Sequence, residues 1–94
     1  MKIWHIWVSL VAVLLFGFLL SQGYGDAELL MREGNYYFGG GEYDLEEAES
    51  AFKRAVSIEP GILWGHYQLA RIYFIKGDSA KALEEINLEL KSNP

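Results

Sequence analysis

The sequence predicts an all-α protein of 94 residues, in which an N-terminal transmembrane or signal helix precedes a short α-solenoid of two helix-turn-helix repeats. Three observations lead to this prediction. Residues 3–25 contain no Asp, Glu, Lys or Arg. Residues 26–94 place apolar residues at the three- and four-residue spacing of amphipathic helices. In that second part, matching residues recur 34 or 36 positions apart, which is the signature of a repeated structural unit.

The N-terminal segment is apolar enough to enter a membrane. Residues 3–20 read IWHIWVSLVAVLLFGFLL and are apolar at 15 of 18 positions. A helix of that length spans about 27 Å, and the hydrocarbon core of a bilayer is about 30 Å thick. We therefore predict a hydrophobic anchor or signal segment over residues 1–25, with a span of about residues 3–22.

Two alternatives remain open for this segment. A retained anchor makes the chain a single-pass membrane protein, whereas cleavage near Gly23, where Ser21 and Gly23 have small side chains, releases a secreted or periplasmic protein. For the retained anchor, Lys2 lies before the span and Asp26 after it. The positive-inside tendency then predicts a cytoplasmic N-terminus and extracytoplasmic repeats.

The second part of the chain is an internal duplication. A repeat of 34 residues with two extra residues within 42–47 explains both separations, and it predicts one repeat over residues 26–60 and a second over residues 61–94. The pairs that are 36 residues apart include Gly34 and Ala70, Tyr37 and Tyr73, Phe38 and Phe74, and Gly41 and Gly77; those 34 apart include Ala48 and Ala82, Phe52 and Ile86, and Pro60 and Pro94.

Start and stop signals divide the duplication into four helices. Asp26, Asp44 and either Asp78 or Ser79 stand where N-terminal caps are expected, and a triple glycine ends the first helix. The predicted helices cover about residues 27–38, 45–58, 62–76 and 80–91. The residues predicted to face inward are Leu30, Gly34, Tyr37 and Phe38; Leu45, Ala48, Phe52, Ala55 and Val56; Ile62, Leu69, Ala70, Tyr73 and Phe74; and Ala82, Leu83, Ile86 and Leu90.

This pattern resembles the tetratricopeptide repeat family. The signature of that family has a tryptophan, a leucine followed by a small residue, a tyrosine, an alanine with an aromatic residue four positions later, and a closing proline. The sequence departs from it at Glu33, His66 and Ile86, and Glu89 stands where the first copy has Ala55. The matching residues are Gly34, Tyr37, Ala48, Phe52 and Pro60 in the first copy and Leu69, Ala70, Tyr73, Ala82 and Pro94 in the second.

The resemblance implies a binding surface. Members of this family stack their hairpins into a curved solenoid, whose concave groove receives a peptide or a helix of another protein, and the first helix of each hairpin lines that groove. Phe38 and Phe74 are candidates either for the groove or for the core. The partner-groove residues that the resemblance implies are Met31, Arg32, Asn35, Trp64, Tyr67, Gln68 and Arg71.

Composition argues against other classes of function. The chain has no cysteine, and His66 is the only histidine after the N-terminal segment, so we predict no metal site, no cofactor, no catalytic residue and no enzymatic activity. Residues 26–94 hold all 13 acidic residues and seven of the eight basic ones, so their net charge is −6 with histidine neutral. We therefore predict no nucleic-acid partner, because phosphate binding needs clustered cations.

The sequence thus predicts a membrane-anchored adaptor that binds a protein or peptide partner and contacts the membrane through residues 3–22. A small subunit or a fragment of a larger membrane-associated assembly is the alternative. Because about three such repeats are usually needed to bury every face, we expect the outer side of the last helix to be covered, either by self-association or by a partner. Leu88 is the candidate exposed apolar residue there.

Overall fold

The computed structural model describes residues 2–94, without the side chains of residues 2–4 and 16–24. Every element in that part is helical, so the all-α prediction is confirmed. The elements, in chain order, are α1 (Lys2–Asn35), a π-helical turn (Tyr36–Gly40), α2 (Leu45–Ile58), α3 (Gly65–Ile75) and α4 (Ser79–Ser92).

The first helix differs from its prediction. No helix begins near residue 27, because α1 runs without a break from Lys2 to Asn35. The prediction that Asp26 caps a helix was therefore wrong: amides in the interior of a helix already bond to the carbonyls four residues earlier, so no unpaired amide is left to cap. The triple glycine does end this helical stretch, since Gly39 has non-helical torsion angles.

The second and fourth helices follow their predictions closely. The side chain of Asp44 accepts a hydrogen bond of 3.1 Å from the amide of Glu47, and Asp78 accepts one of 3.1 Å from the amide of Lys81. Both bonds satisfy amides that the first turn of a helix leaves unpaired, so these two predicted caps are confirmed. Gly77, with φ at +85°, makes the turn between α3 and α4.

The third helix begins three residues later than predicted. Residues 59–64 form a tight turn, in which the amide of Ile62 donates to the carbonyl of Glu59 (3.0 Å) and the amide of Gly65 to that of Ile62 (3.1 Å). Ile62 is buried beneath this turn, as predicted, although it lies outside the helix.

The core lies between two helical hairpins. Helix α1 packs on α2, α3 on α4, and α2 on α3. Phe52, Leu69 and Ile72 are fully enclosed at the centre. The surrounding core residues are Ala48, Tyr73 and Ala82, with Met31, Tyr37, Phe38, Leu45 and Val56 packed against them.

Three predicted core residues are exposed instead. Phe74 is 71% exposed, Leu83 62% and Leu90 56%. Their prediction was wrong because it assumed that both copies are covered alike, whereas no helix in the described part of the chain follows α4. Leu88, the residue predicted to be exposed, is 44% exposed.

Among the described residues, no helix combines the length and the apolarity that a membrane crossing requires. The predicted span of residues 3–22 and the predicted cleavage near Gly23 fall in part on residues whose side chains lie outside that description. Between His5 and Leu15, where side chains are described, eight large apolar residues are each 48–67% exposed. Nothing in the described fold covers this stretch of α1.

Two glycines allow the helices to approach closely. A Cβ atom on Gly34 would lie 2.5 Å from the ring of Phe52, and one on Gly65 would lie 2.6 Å from Val56. Both distances are too short for real atoms, so the ring and the methyl group occupy the space that a side chain would take.

We predict that Gly34→Ala destabilises the protein and that Gly25→Ala does not. Gly34 meets an enclosed ring, whereas nothing lies within 4 Å of a Cβ at Gly25. Overpacking costs about 1–3 kcal/mol, and replacing a helical glycine by alanine returns at most about 1 kcal/mol. We therefore expect a net loss for Gly34→Ala and a small gain for Gly25→Ala, measured by thermal unfolding of the full chain in detergent. Equal effects of the two substitutions would contradict this packing.

Candidate functional site

A cavity of about 470 Å³ opens between α1 and the start of α3. Five of the seven predicted partner-groove residues line it: Met31, Arg32, Asn35, Trp64 and Gln68. The other lining residues are Glu28, Glu59, Ile62 and Leu63. The structure therefore brings together side chains that lie about 30 positions apart in the sequence.

The two remaining predicted residues continue this surface along α3. The ring of Tyr67 meets that of Trp64 edge to face, with 5.5 Å between centroids. The guanidinium of Arg71 lies 4.7 Å from the ring centroid of Phe38 and 6.0 Å from that of Tyr67. We call the seven predicted residues, together with Phe38, the groove.

Hydrogen bonds order the polar side chains of the groove. Gln68 donates from Nε2 to Oδ1 of Asn35 (3.3 Å), and Arg71 donates from Nη1 to Oε1 of Gln68 (3.0 Å). Among the described residues, no carboxylate lies within ion-pair distance of Arg71. The guanidinium is thus held against aromatic rings with hydrogen-bonding capacity to spare, an arrangement suited to binding rather than to covalent chemistry.

Glu89 positions the groove from the opposite helix, although the sequence showed it only as a departure from Ala55. Glu89 as a whole residue is only 6% exposed. It accepts hydrogen bonds from the amides of Trp64 (3.1 Å) and Tyr67 (3.1 Å) and from Nδ2 of Asn93 (2.9 Å). Glu89 therefore caps α3 from a distance, because the Trp64 side chain makes no capping bond of its own.

The difference between Glu89 and Ala55 has a simple physical reason. Helix α3 begins anew after a turn, so its first amides need acceptors. Helix α1 enters the first hairpin as a continuing helix, so the corresponding amide, that of Glu28, is already inside α1. Alanine suffices opposite α1, and a carboxylate is needed opposite α3.

Trp64 is held in a strained backbone conformation. Its φ of +71° lies in the left-handed region, where no other non-glycine residue in the described part of the chain is found. That conformation costs roughly 1–2 kcal/mol for a residue with a Cβ. The bond to Glu89 helps to hold it, and the indole, 54% exposed, is left at the mouth of the groove.

Ion pairs fasten the far end of α3 to α2. Nζ of Lys76 lies 2.7 Å from carboxylate oxygens of both Glu46 and Glu49, and Lys53 lies 2.8 Å from Glu49. Hydrogen bonds to the two carboxylates raise the pKa of Lys76 above its ordinary value. Burial works to raise the pKa of Glu49, but hydrogen bonds from Lys53 and Lys76 outweigh it and hold that pKa below its ordinary value.

His66 takes a structural place between α3 and α4. Its Nδ1 lies 2.6 Å from Oε2 of Glu85, and both side chains are largely shielded from solvent. No group of three or more His, Cys, Asp or Glu residues that could hold a metal ion occurs among the described residues. The described site is therefore a groove of aromatic, cationic and amide side chains, with Glu28 and Glu59 also in the lining of its cavity.

Comparison with protein-family models, curated proteins and solved structures gives no match to this chain.

We predict that Glu89→Ala destabilises the protein by about 2 kcal/mol, since it leaves two amides at the start of α3 without their buried acceptor. Glu89→Gln, which keeps the shape and one acceptor oxygen, should lose less. Denaturant unfolding of the full chain measures both, and amide exchange at Trp64 and Tyr67 should accelerate in Glu89→Ala. Glu84→Ala, on the exposed outer face of α4, serves as the control and should change stability by less than about 0.5 kcal/mol. A similar loss of stability in Glu89→Ala and Glu84→Ala would contradict the capping role of Glu89.

Proposed function

We propose that the chain is a membrane-anchored interaction module of the tetratricopeptide repeat type, which binds a peptide or a helix of a partner protein in its groove. The observation that carries this proposal is that five of the seven predicted residues line one cavity, with Tyr67 in edge contact with Trp64 and Arg71 stacked on Phe38 beside it. The duplication of residues 26–94 supports the family, and the paired helical hairpins agree with it.

The composition of the groove favours protein binding. Tryptophan, tyrosine and arginine are the residues that most often dominate the energy of protein interfaces. Here Trp64 is the N-terminal cap residue of α3, and Tyr67 and Arg71 lie in its first two turns. The strain at Trp64 supports the same function. Backbone strain persists where surrounding structure enforces it, and it concentrates at functional positions.

The proposed module has no catalytic step. Glu89 serves as a cap, and Glu28 and Glu59 line a cavity that has no serine, threonine, cysteine or histidine in its lining. Binding, rather than turnover, is the activity that the groove supports best.

The proposed anchor is the apolar segment at residues 3–22, with the N-terminus in the cytoplasm and the repeats on the extracytoplasmic side. The exposed apolar side chains between His5 and Leu15 support it, because large exposed apolar surfaces are typical of membrane or protein contact. Cleavage near Gly23 would instead give a secreted or periplasmic module. A small subunit or fragment of a larger membrane-associated assembly is the remaining alternative.

A separation-of-function variant tests the groove. We expect Trp64→Gly to abolish partner binding while the free energy of unfolding changes by no more than about 1 kcal/mol. Loss of the left-handed strain, about 1–2 kcal/mol, offsets the added freedom of glycine in the unfolded chain, about 0.5–1 kcal/mol. Binding is read by incorporating a photo-crosslinking amino acid in place of Tyr67 and illuminating native membranes.

The controls for that experiment lie on the outer face of α4. Leu88→Ala removes a partly exposed apolar side chain without touching the groove, and it should leave crosslinking intact. The same crosslinker in place of Asn87 should not capture that partner. Equal capture from both faces, or capture that survives Trp64→Gly, would rule out the groove as the binding surface.

Topology is tested with a reporter cysteine, because the natural chain has none. We expect Ser57→Cys, on the exposed side of α2, to react with a membrane-impermeant maleimide in intact cells or spheroplasts. The chain should also stay in the membrane pellet after alkaline carbonate extraction and keep its N-terminal peptide in mass spectrometry. Labelling only after lysis contradicts the proposed orientation, and a mature chain that begins after Gly23 contradicts the anchor.

A further inference from the structure

An apolar concavity lies at the end of the helical stack, between α3 and α4. It has a volume of about 630 Å³. Its floor consists of the small residues Ala70 and Ala82, and Phe74 and Leu83 rise at its sides with more than half of their surface exposed. We call this surface the end face; the lining residues used below are Ala70, Arg71, Phe74, Ala82, Leu83 and Ile86.

The first repeat contains the same surface, and there it is covered. One repeat earlier, the corresponding residues are Gly34, Asn35, Phe38, Ala48, Glu49 and Phe52. Helix α3 covers them. Its Leu69 and Ile72 join Ala48 and Phe52 in the core cluster, Gln68 bonds to Asn35, and Lys76 pairs with Glu46 and Glu49. The duplication therefore shows what kind of element fits the end face: one amphipathic α-helix.

The end face differs from its counterpart in the first repeat at the positions that would contact a charged residue of the covering helix. Glu46 and Glu49, which hold Lys76 of α3, correspond to Ala80 and Leu83 on the end face. A lysine at that point of a covering helix would thus meet apolar atoms without a counter-charge, and an apolar residue would fit.

A second difference concerns Arg71, which takes the place of Asn35. Asn35 faces the neutral amide of Gln68, whereas Arg71 has no carboxylate partner among the described residues. A covering helix with glutamate or aspartate at the position of Gln68 would supply that partner.

A second copy of this chain does not match these requirements. The part of α1 that corresponds to α3 puts Arg32 at the position of Gln68, opposite the cation of Arg71, and Glu33 at the position of the enclosed Leu69. A copy added head to tail would therefore bring like charges together and bury a carboxylate, and each effect is unfavourable.

From these comparisons we propose that the end face is a second docking site, which takes an amphipathic α-helix from a partner protein. That helix carries an acidic residue opposite Arg71 and an apolar residue opposite Leu83. This site shares only Arg71 with the groove, so variants at the other residues test the two surfaces one at a time.

The test uses helix α3 itself as the probe. Two stapled helical peptides are made from residues 65–76, one with the natural sequence and one carrying both Gln68→Glu and Lys76→Leu. Binding to the full-length chain in lipid nanodiscs is measured by fluorescence anisotropy. We expect the substituted peptide to bind about tenfold more tightly, from one ion pair and one buried leucine.

A charge exchange makes the result specific to this face. Leu83→Glu restores the carboxylate that Glu49 provides in the first repeat, so this variant should reverse the preference and favour the natural peptide with Lys76. In the full-length chain, Arg71→Gln should remove the share of the affinity difference that the peptide substitution Gln68→Glu contributes. Trp64→Gly, which alters only the groove, should leave the affinities of both peptides unchanged. A failure of the end-face proposal is thereby distinguished from a failure of the groove proposal.

Three results would overturn the proposal. One is that neither peptide binds, although circular dichroism shows both to be helical. Another is that Leu83→Glu weakens both peptides equally, since nonspecific apolar contact would do that. The third is a dimer of the full-length chain in sedimentation equilibrium that Leu83→Glu dissociates, which would assign the end face to a second copy.

Discussion

The position of Phe52 is the constraint on which the rest of the fold depends. Its ring is fully enclosed. It fills the space above Gly34 in α1, meets Phe38 edge to face at 6.3 Å, and joins Leu69 and Ile72 of α3 in one cluster. A single side chain thus connects three helices, and loss of such a buried ring typically costs about 3–5 kcal/mol. The groove exists because this contact sets α3 beside α1.

Local signals in the sequence were enough to predict most helix ends. Asp44 and Asp78 each act within three residues of their own position, and both caps occur as expected. The start at Asp26 was missed because a cap-like residue forms a cap only where the preceding chain is not helical. Here the preceding apolar segment continues the helix, and the pattern after Asp26 contains no information about it.

The long-range contacts of the site were harder to predict from the sequence. The groove residues were predicted as a set from the family resemblance, and five of the seven line one cavity, yet the cap at the start of α3 was not foreseen. Glu89 lies 25 and 22 residues from the amides of Trp64 and Tyr67, beyond any local pattern. The exposure of Phe74 and Leu83 was missed for another reason. A repeat signature describes how one repeat packs between two others, but it does not show whether a further repeat is present to cover the last one.

Arg71 connects the two surfaces that we propose. Its guanidinium stacks on Phe38 in the groove, and its side chain also lines the end face. A carboxylate docked at the end face would bind the in-plane donors of the same guanidinium whose face lies over Phe38 and which already donates to Gln68. If a carboxylate at the end face moved this guanidinium, it would change the free energy of binding in the groove, and by linkage the effect would be mutual. In so small a stack, the residue that marks the boundary between two surfaces is also the one that couples them.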